Sequence, residues 1–150
     1  MKKFFFALDT VLSYKEQVLD GLKAEHARIL AKIRDCERAI QELEQEYARC
    51  TALFRENQVK GMKINEIQTY ENYLESLRLK IRRKLEQLAQ LQKQEEEKRA
   101  EVVRAKQETS SIDKLKEKKK WEYDKMVQKE DEQFIEEYVT TQKAMTRLKG

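Results

Sequence analysis

The sequence predicts an all-α fold, two long helices forming an antiparallel coiled-coil hairpin in which the second helix is the longer. Three observations predict it. Mostly apolar residues recur at alternating four and three spacing from Leu8 to Phe54 and again from Ile67 to Ile112, and a mean period of 3.5 keeps one stripe of an underwound helix against a partner. The chain has no proline and only three glycines in 150 residues, so little interrupts a helix. Charged residues make up 40% and hydrophobic residues 39%, too polar for a multilayer core. A disordered polyampholyte shares that composition but has no reason to keep its apolar residues in phase.

At the start, Phe4-Phe5-Phe6-Ala7-Leu8 follows two lysines. This run is too short for the apolar region of a signal peptide, and Asp9 ends it. The chain offers no run of roughly 20 apolar residues for a bilayer span, so a cytoplasmic protein is expected. Helix one is expected over about residues 9–60, beginning near Asp9 or at Ser13, whose S-x-x-E spacing to Glu16 suits a capping box. Its seam is Leu8, Leu12, Lys15, Leu19, Leu22, His26, Ile29, Ile33, Cys36, Ile40, Leu43, Tyr47, Cys50 and Phe54. Cys36 and Cys50 lie on one face about 21 Å apart at 1.5 Å per residue, too far to bridge. As buried seam residues they suit a reducing compartment.

Gly61 is the natural residue past the end of helix one, because positive φ costs little without a Cβ. The turn is expected at about 61–64, and helix two at about 65–148 with Asn65 and Gln68 at its cap. Its seam is Ile67, Tyr70, Leu74, Leu77, Ile81, Lys84, Leu88, Leu91, Glu95, Lys98, Val102, Ala105, Thr109 and Ile112. A short connection makes the helices antiparallel neighbours. Placing Phe54 opposite Ile67 sets His26 against Glu95 and Leu8 beside Ile112 or Asp113. His26 either pairs with that carboxylate or sits at the rim without a role. Because charges and Thr109 replace leucines beyond Leu91, the end remote from the turn is expected to be looser, with a bend at the poor helix-forming triplet Thr109-Ser110-Ser111. Past it runs another apolar stripe: Trp121, Met126 or Val127, Phe134, Tyr138, Met145 and Leu148.

No phosphate-binding glycine loop, C-x-x-C, histidine pair or nucleophile with a base is present, so neither catalysis nor a cofactor is expected. The clusters Glu95-Glu96-Glu97 and Glu130-Asp131-Glu132 lack the alternating oxygen ligands of a calcium loop and read as solvated faces. Three surfaces remain. Tyr73 flanks the seam near Leu77, Lys80 and Lys84, where a tyrosine serves either as an interface anchor or as flank packing. Arg82-Arg83-Lys84 and Lys114–Lys120 are basic, but interleaved and following acids dilute a field suited to nucleic acid or anionic lipid. The third gathers aromatic residues from both termini: Phe4, Phe5, Phe6 and Leu8, with Trp121, Tyr123, Phe134 and Tyr138.

Three stretches resemble the flagellar FliJ family of type III protein export. The opening Phe4-Phe5-Phe6-Ala7-Leu8 to Lys15 is similar to that family's start. Lys60-Gly61-Met62 followed by Ile67, Tyr70, Tyr73-Leu74 and Leu77 resembles its G-[MI]…Y-x-x-[YF]-[LI]-x-x-L segment, and Gln128-Lys129-Glu130-Asp131-Glu132-Gln133-Phe134 resembles its closing Lys-x-x-Asp-Glu stretch. The resemblance implies a non-enzymatic stalk protein of flagellum biogenesis and motility. Its implied partners are the hexameric flagellar export ATPase, the cytoplasmic region of the export gate FlhA and export chaperones, with peripheral association at the inner face of the cell membrane. By analogy with a rotary stalk, Phe4, Phe5, Phe6, Leu8, Trp121, Tyr123, Phe134 and Tyr138 would meet the ATPase ring, and Tyr73, Leu77, Lys80 and Lys84 the gate. The competing reading is a coiled-coil scaffold, or a rod associated with nucleic acid or cytoskeleton.

Overall fold

A computed structural model describes residues 2–149, which form two helices, α1 (Asp9–Lys60, 52 residues) and α2 (Ile64–Lys149, 86 residues), with no strand among the described residues. The seam explains their pairing. Of the seam positions from Leu8 to Ile112, only Leu8 is exposed; every other one is at least half withdrawn from solvent. Leu8 escapes because it precedes the first turn of α1.

α1 begins at Asp9, one of the two expected starts, and neither Ser13 nor Asn65 serves as a cap. The Leu8 carbonyl accepts from the Leu12 amide at 2.8 Å, and the Asp9 amide donates to the Phe6 carbonyl at 3.1 Å. Ser13 therefore lies inside α1, beyond the free amides a cap would satisfy. Asp9, at the first helical position, places negative charge at the positive end of the helix dipole. At α2 the Lys63 carbonyl accepts from the Glu66 and Ile67 amides, each at 3.1 Å. Asn65 is thus within the helix, where its carbonyl takes the Thr69 hydroxyl at 2.9 Å. The reversal consists of Gly61, Met62 and Lys63. Gly61 has φ 96°, and its amide donates to the Gln58 carbonyl at 3.2 Å, closing α1.

The chain divides into two compact units, one of them Asp20–Val103 and the other formed by the chain up to Leu19 with the chain from Arg104 onward. In the first, the Phe54 and Tyr70 rings meet edge to face at 5.1 Å beside the reversal, and Asn57 Nδ2 donates to the Tyr70 hydroxyl at 2.9 Å. Leu74, Leu77 and Cys50 are buried further along. Cys36, Ile40 and Leu91 form a core cluster with Ile33 and Leu88 packed on it, and the Cys36 thiol donates to the Lys84 carbonyl at 3.3 Å. Polar seam positions are paired rather than vacant. His26 Nε2 lies 3.0 Å from Glu95 Oε1, the pair the register anticipates, and Lys98 Nζ reaches Glu25 at 2.7 Å and Glu101 at 3.1 Å.

In the second unit Leu12, Phe6, Ala105 and Thr109 are buried. The expected loosening does not show as exposure here: α2 has no leucine at its seam positions in this unit, yet Ala105 and Thr109 are buried. α2 runs without interruption through Thr109-Ser110-Ser111. The Thr109 hydroxyl donates to the Ala105 carbonyl at 2.7 Å and the Ser111 hydroxyl to that of Gln107 at 2.9 Å, so both are satisfied within the helix. Lys15 pairs with Glu108 at 3.0 Å and Asp9 with Lys116 at 2.6 Å.

Space does not require Gly61, since a Cβ there would meet nothing within 4 Å; backbone conformation does. Gly61→Ala is expected to lower stability by about 1 kcal/mol, the penalty for a non-glycine residue in the left-handed region. Gly21, in mid-helix with open space around it, is the control. Gly21→Ala should instead stabilise by roughly 0.5–1 kcal/mol. Urea unfolding followed by circular dichroism reads both.

Candidate functional site

Two surfaces carry the side chains singled out from the sequence. The first lies on the Asp20–Val103 unit, where α2 presents Tyr73 and Lys80 beside α1. Tyr73 is 42% exposed, and its hydroxyl donates to Glu46 Oε1 at 3.0 Å. Arg49 grips the same carboxylate with two bonds, Nε to Oε2 at 2.9 Å and Nη2 to Oε1 at 2.5 Å. These donors, Arg49 first and Tyr73 second, hold the Glu46 carboxyl well below its usual 4.5, at about 2. Reciprocally, the bond to Glu46 raises the Tyr73 hydroxyl, keeping it a protonated donor. One helical turn away Arg78 Nε donates to the Tyr47 hydroxyl at 3.0 Å, with the guanidinium 5.6 Å from that ring's centre.

Leu77 occupies a different environment. At 2% exposure it is the most deeply buried of the core side chains among the described residues, so it reaches outward only if the helices part. Lys84 is half-buried and extends to Gln87 Oε1 at 3.4 Å, whereas Lys80 is exposed. Together with Ala39, Glu42, Leu43, Arg83 and Gln87, these lysines line an open groove of about 430 Å³ between α1 and α2. The α1 contribution, Glu46 and Arg49 under Tyr73 and Glu42 in the groove, was not singled out from sequence. The register contained the signal, since setting Phe54 against Ile67 brings the segment around Tyr47 alongside Tyr73 and Leu74.

The second surface belongs to the unit containing both chain ends. Phe4 meets Tyr123 at 5.4 Å between ring centres, the Tyr123 hydroxyl donates to the Lys2 carbonyl, and Lys120 Nζ sits 5.1 Å from the Phe4 ring and 5.0 Å from that of Tyr123. The segment before α1 therefore folds along α2. Phe6 is 6% exposed and buried; Phe5 and Leu8 remain outside. Trp121 is exposed, with Lys125 Nζ 5.5 Å above its ring. Of the alternatives Met126 and Val127, it is Val127 that is half-buried. Every residue from Gln128 to Lys149 is exposed, including Phe134 at 70% and Tyr138 at 59%. Ile135 and Val139, also exposed, widen the stripe beyond the positions read from spacing.

The basic run at Lys114–Lys120 is interlaced with acids. Lys116 is raised by its bond to Asp9, Lys119 approaches Glu122 at 3.8 Å and Lys120 pairs with Asp124 at 3.2 Å. Among the described residues no group of three or more histidine, cysteine or acidic side chains is placed to hold a metal ion.

The flagellar FliJ protein model matches residues 4–147, nearly the whole chain. The chain belongs to the FliJ family. It is accordingly an all-helical, coiled-coil component related to flagellar protein export. No curated protein and no solved structure matches it with significance. No helix of this FliJ-family chain among the described residues is long and apolar enough to cross a membrane.

Two measurements separate the roles on the first surface. Leu77→Ala should cost about 2–5 kcal/mol of stability, as for a buried leucine, while Tyr73→Phe, which keeps the ring and loses one bond at the rim, should cost under about 1 kcal/mol. The Glu46 carboxyl is depressed in the folded chain, so its contribution is complete above about pH 4.5 and is lost as pH falls through about 2. Urea midpoints measured from pH 6 down to about pH 2 should therefore fall less steeply in Glu46→Gln than in the parent chain.

Proposed function

We propose that this FliJ-family chain is a non-enzymatic stalk of the flagellar export apparatus that seats its termini-bearing end in the hexameric export ATPase. The reading rests on one observation, the exposed aromatic stripe of α2 past Tyr123 in a chain that matches FliJ over residues 4–147. Phe5, Trp121, Phe134 and Tyr138 offer side chains to a ring; Phe4, Phe6 and Tyr123 brace the segment that precedes α1. An asymmetric helical pair cannot touch six equivalent subunits equally. It stabilises some subunit conformations over others, and that difference couples the state of the ring to whatever the other surface binds.

The other surface would meet the cytoplasmic region of the export gate FlhA through Tyr73, Lys80 and the neighbouring groove. The buried Leu77 supports this face from beneath, and Lys84 lines the groove. Export chaperones would be escorted by the same chain, which would work beside the inner face of the cell membrane through these partners. Tyrosine and basic side chains over a groove suit a partner that brings acidic and apolar groups together.

The first experiment is capture of the hexameric export ATPase by the full chain. Phe134→Ala with Tyr138→Ala should reduce capture at least about tenfold, the loss expected for two aromatic anchors, with the helical circular dichroism unchanged. Tyr73→Ala with Lys80→Glu should leave ATPase capture intact and weaken binding to the gate's cytoplasmic region. Failure of the unmodified chain to capture the ATPase, together with nucleic-acid binding that falls steeply with salt, would favour the scaffold reading instead.

A further inference from the structure

The last three heptads of α2, Gln128–Lys149, carry an apolar stripe that no other segment among the described residues covers. Phe134, Tyr138, Thr141, Met145 and Leu148 follow one another at alternating four and three spacing, the pattern that elsewhere in this chain forms a buried seam. Charge along the same segment is divided by position. Glu130, Asp131, Glu132, Glu136 and Glu137 fall in its first half with a single lysine, whereas Lys143, Arg147 and Lys149 fall in its second half with no acid.

We propose that this segment pairs with the same segment of a second copy of the chain, antiparallel, in a register that sets Phe134 against Met145 and Tyr138 against Thr141. The inference stands on the tail's own residues and not on the export reading above. In this register every seam layer on one strand meets a seam layer on the other, because the spacing reads the same in both directions about the midpoint between Val139 and Thr140. The acidic half of each strand lies along the basic half of its partner. Asp131, three residues before Phe134 and so at the preceding seam position, faces Leu148 with Lys149 beside it. A parallel pair would instead set Asp131 against Asp131 and the acidic halves against each other, within the roughly 8–10 Å over which charges act at ordinary salt. Charge complementarity thus selects both the partner, a second copy, and its direction.

Three heptads form a modest interface, so the dimer is a reversible one. It uses Phe134 and Tyr138, the side chains a ring would need, and a chain paired in this way presents neither of them. Self-association and ring binding are therefore alternatives.

Sedimentation equilibrium of the full chain under reducing conditions tests the pairing. The expected result is an equilibrium between an 18.0 kDa monomer and a dimer, populated across the micromolar range. Phe134→Glu with Tyr138→Glu should weaken dimerisation by about tenfold or more. These side chains are exposed, so the monomer should keep its helical circular dichroism. Direction is read by mixing a chain carrying Glu137→Cys with one carrying Ala144→Cys and oxidising, with the unsubstituted chain as the control for Cys36 and Cys50, both buried. Antiparallel pairing links the two different chains, and neither variant links to itself. A monomer at every concentration, a dimer indifferent to the paired glutamates, or self-linked variants would each overturn the proposal.

Discussion

Pairing of α1 with α2 depends on a reversal of three residues, Gly61, Met62 and Lys63, with Gly61 held at φ 96°. A connection this short leaves the helices little freedom to slide, because a one-residue slip would carry apolar stripes out of contact. Leucines facing leucines tolerate several alignments; this seam places His26 against Glu95, Lys98 against Glu25 and Lys15 against Glu108, which tolerate few. Polar residues within a coiled-coil seam give up some stability for a defined alignment. The glycine chooses the register, and these pairs penalise the alternatives.

The two candidate surfaces are built differently. Around Tyr73 the side chains are already engaged, with Glu46 receiving Arg49 and the tyrosine hydroxyl together. A partner docking there would meet side chains already held in place, whose ordering would cost little further conformational entropy. The exposed stripe of α2 has no such cross-helix array. Its affinity must come from burying aromatic area, which is less selective and suits more than one occupant.

The periodic features were legible in the sequence. Strict spacing identified the seam positions in both helices, and the register derived from Phe54 and Ile67 set His26 against Glu95, which lie 3.0 Å apart in the structure. Features decided by competition between local signals were less legible. Ser13 and Asn65 have the chemistry of caps, but the helices start earlier because the Leu8 and Lys63 carbonyls take the first helical bonds. Thr109-Ser110-Ser111 has poor intrinsic propensity, yet α2 is continuous through it, with Thr109 buried against α1. The acidic partner of Tyr73 was hidden because no local pattern around Tyr73 names a residue 27 positions away. Only the facing register does.

The facing polar pairs also bear on how such a chain can change over generations. A residue gained or lost in one helix would pull Lys15 from Glu108 and His26 from Glu95, and no loop lies between them to absorb it. Growth or shrinkage that preserves every layer must come as a whole heptad in α1 matched by a whole heptad in α2. Single charges are freer, because a swap of sign on one helix can be answered by the opposite swap across the seam. Descent in such a lineage should thus conserve spacing and paired polarity while individual letters drift.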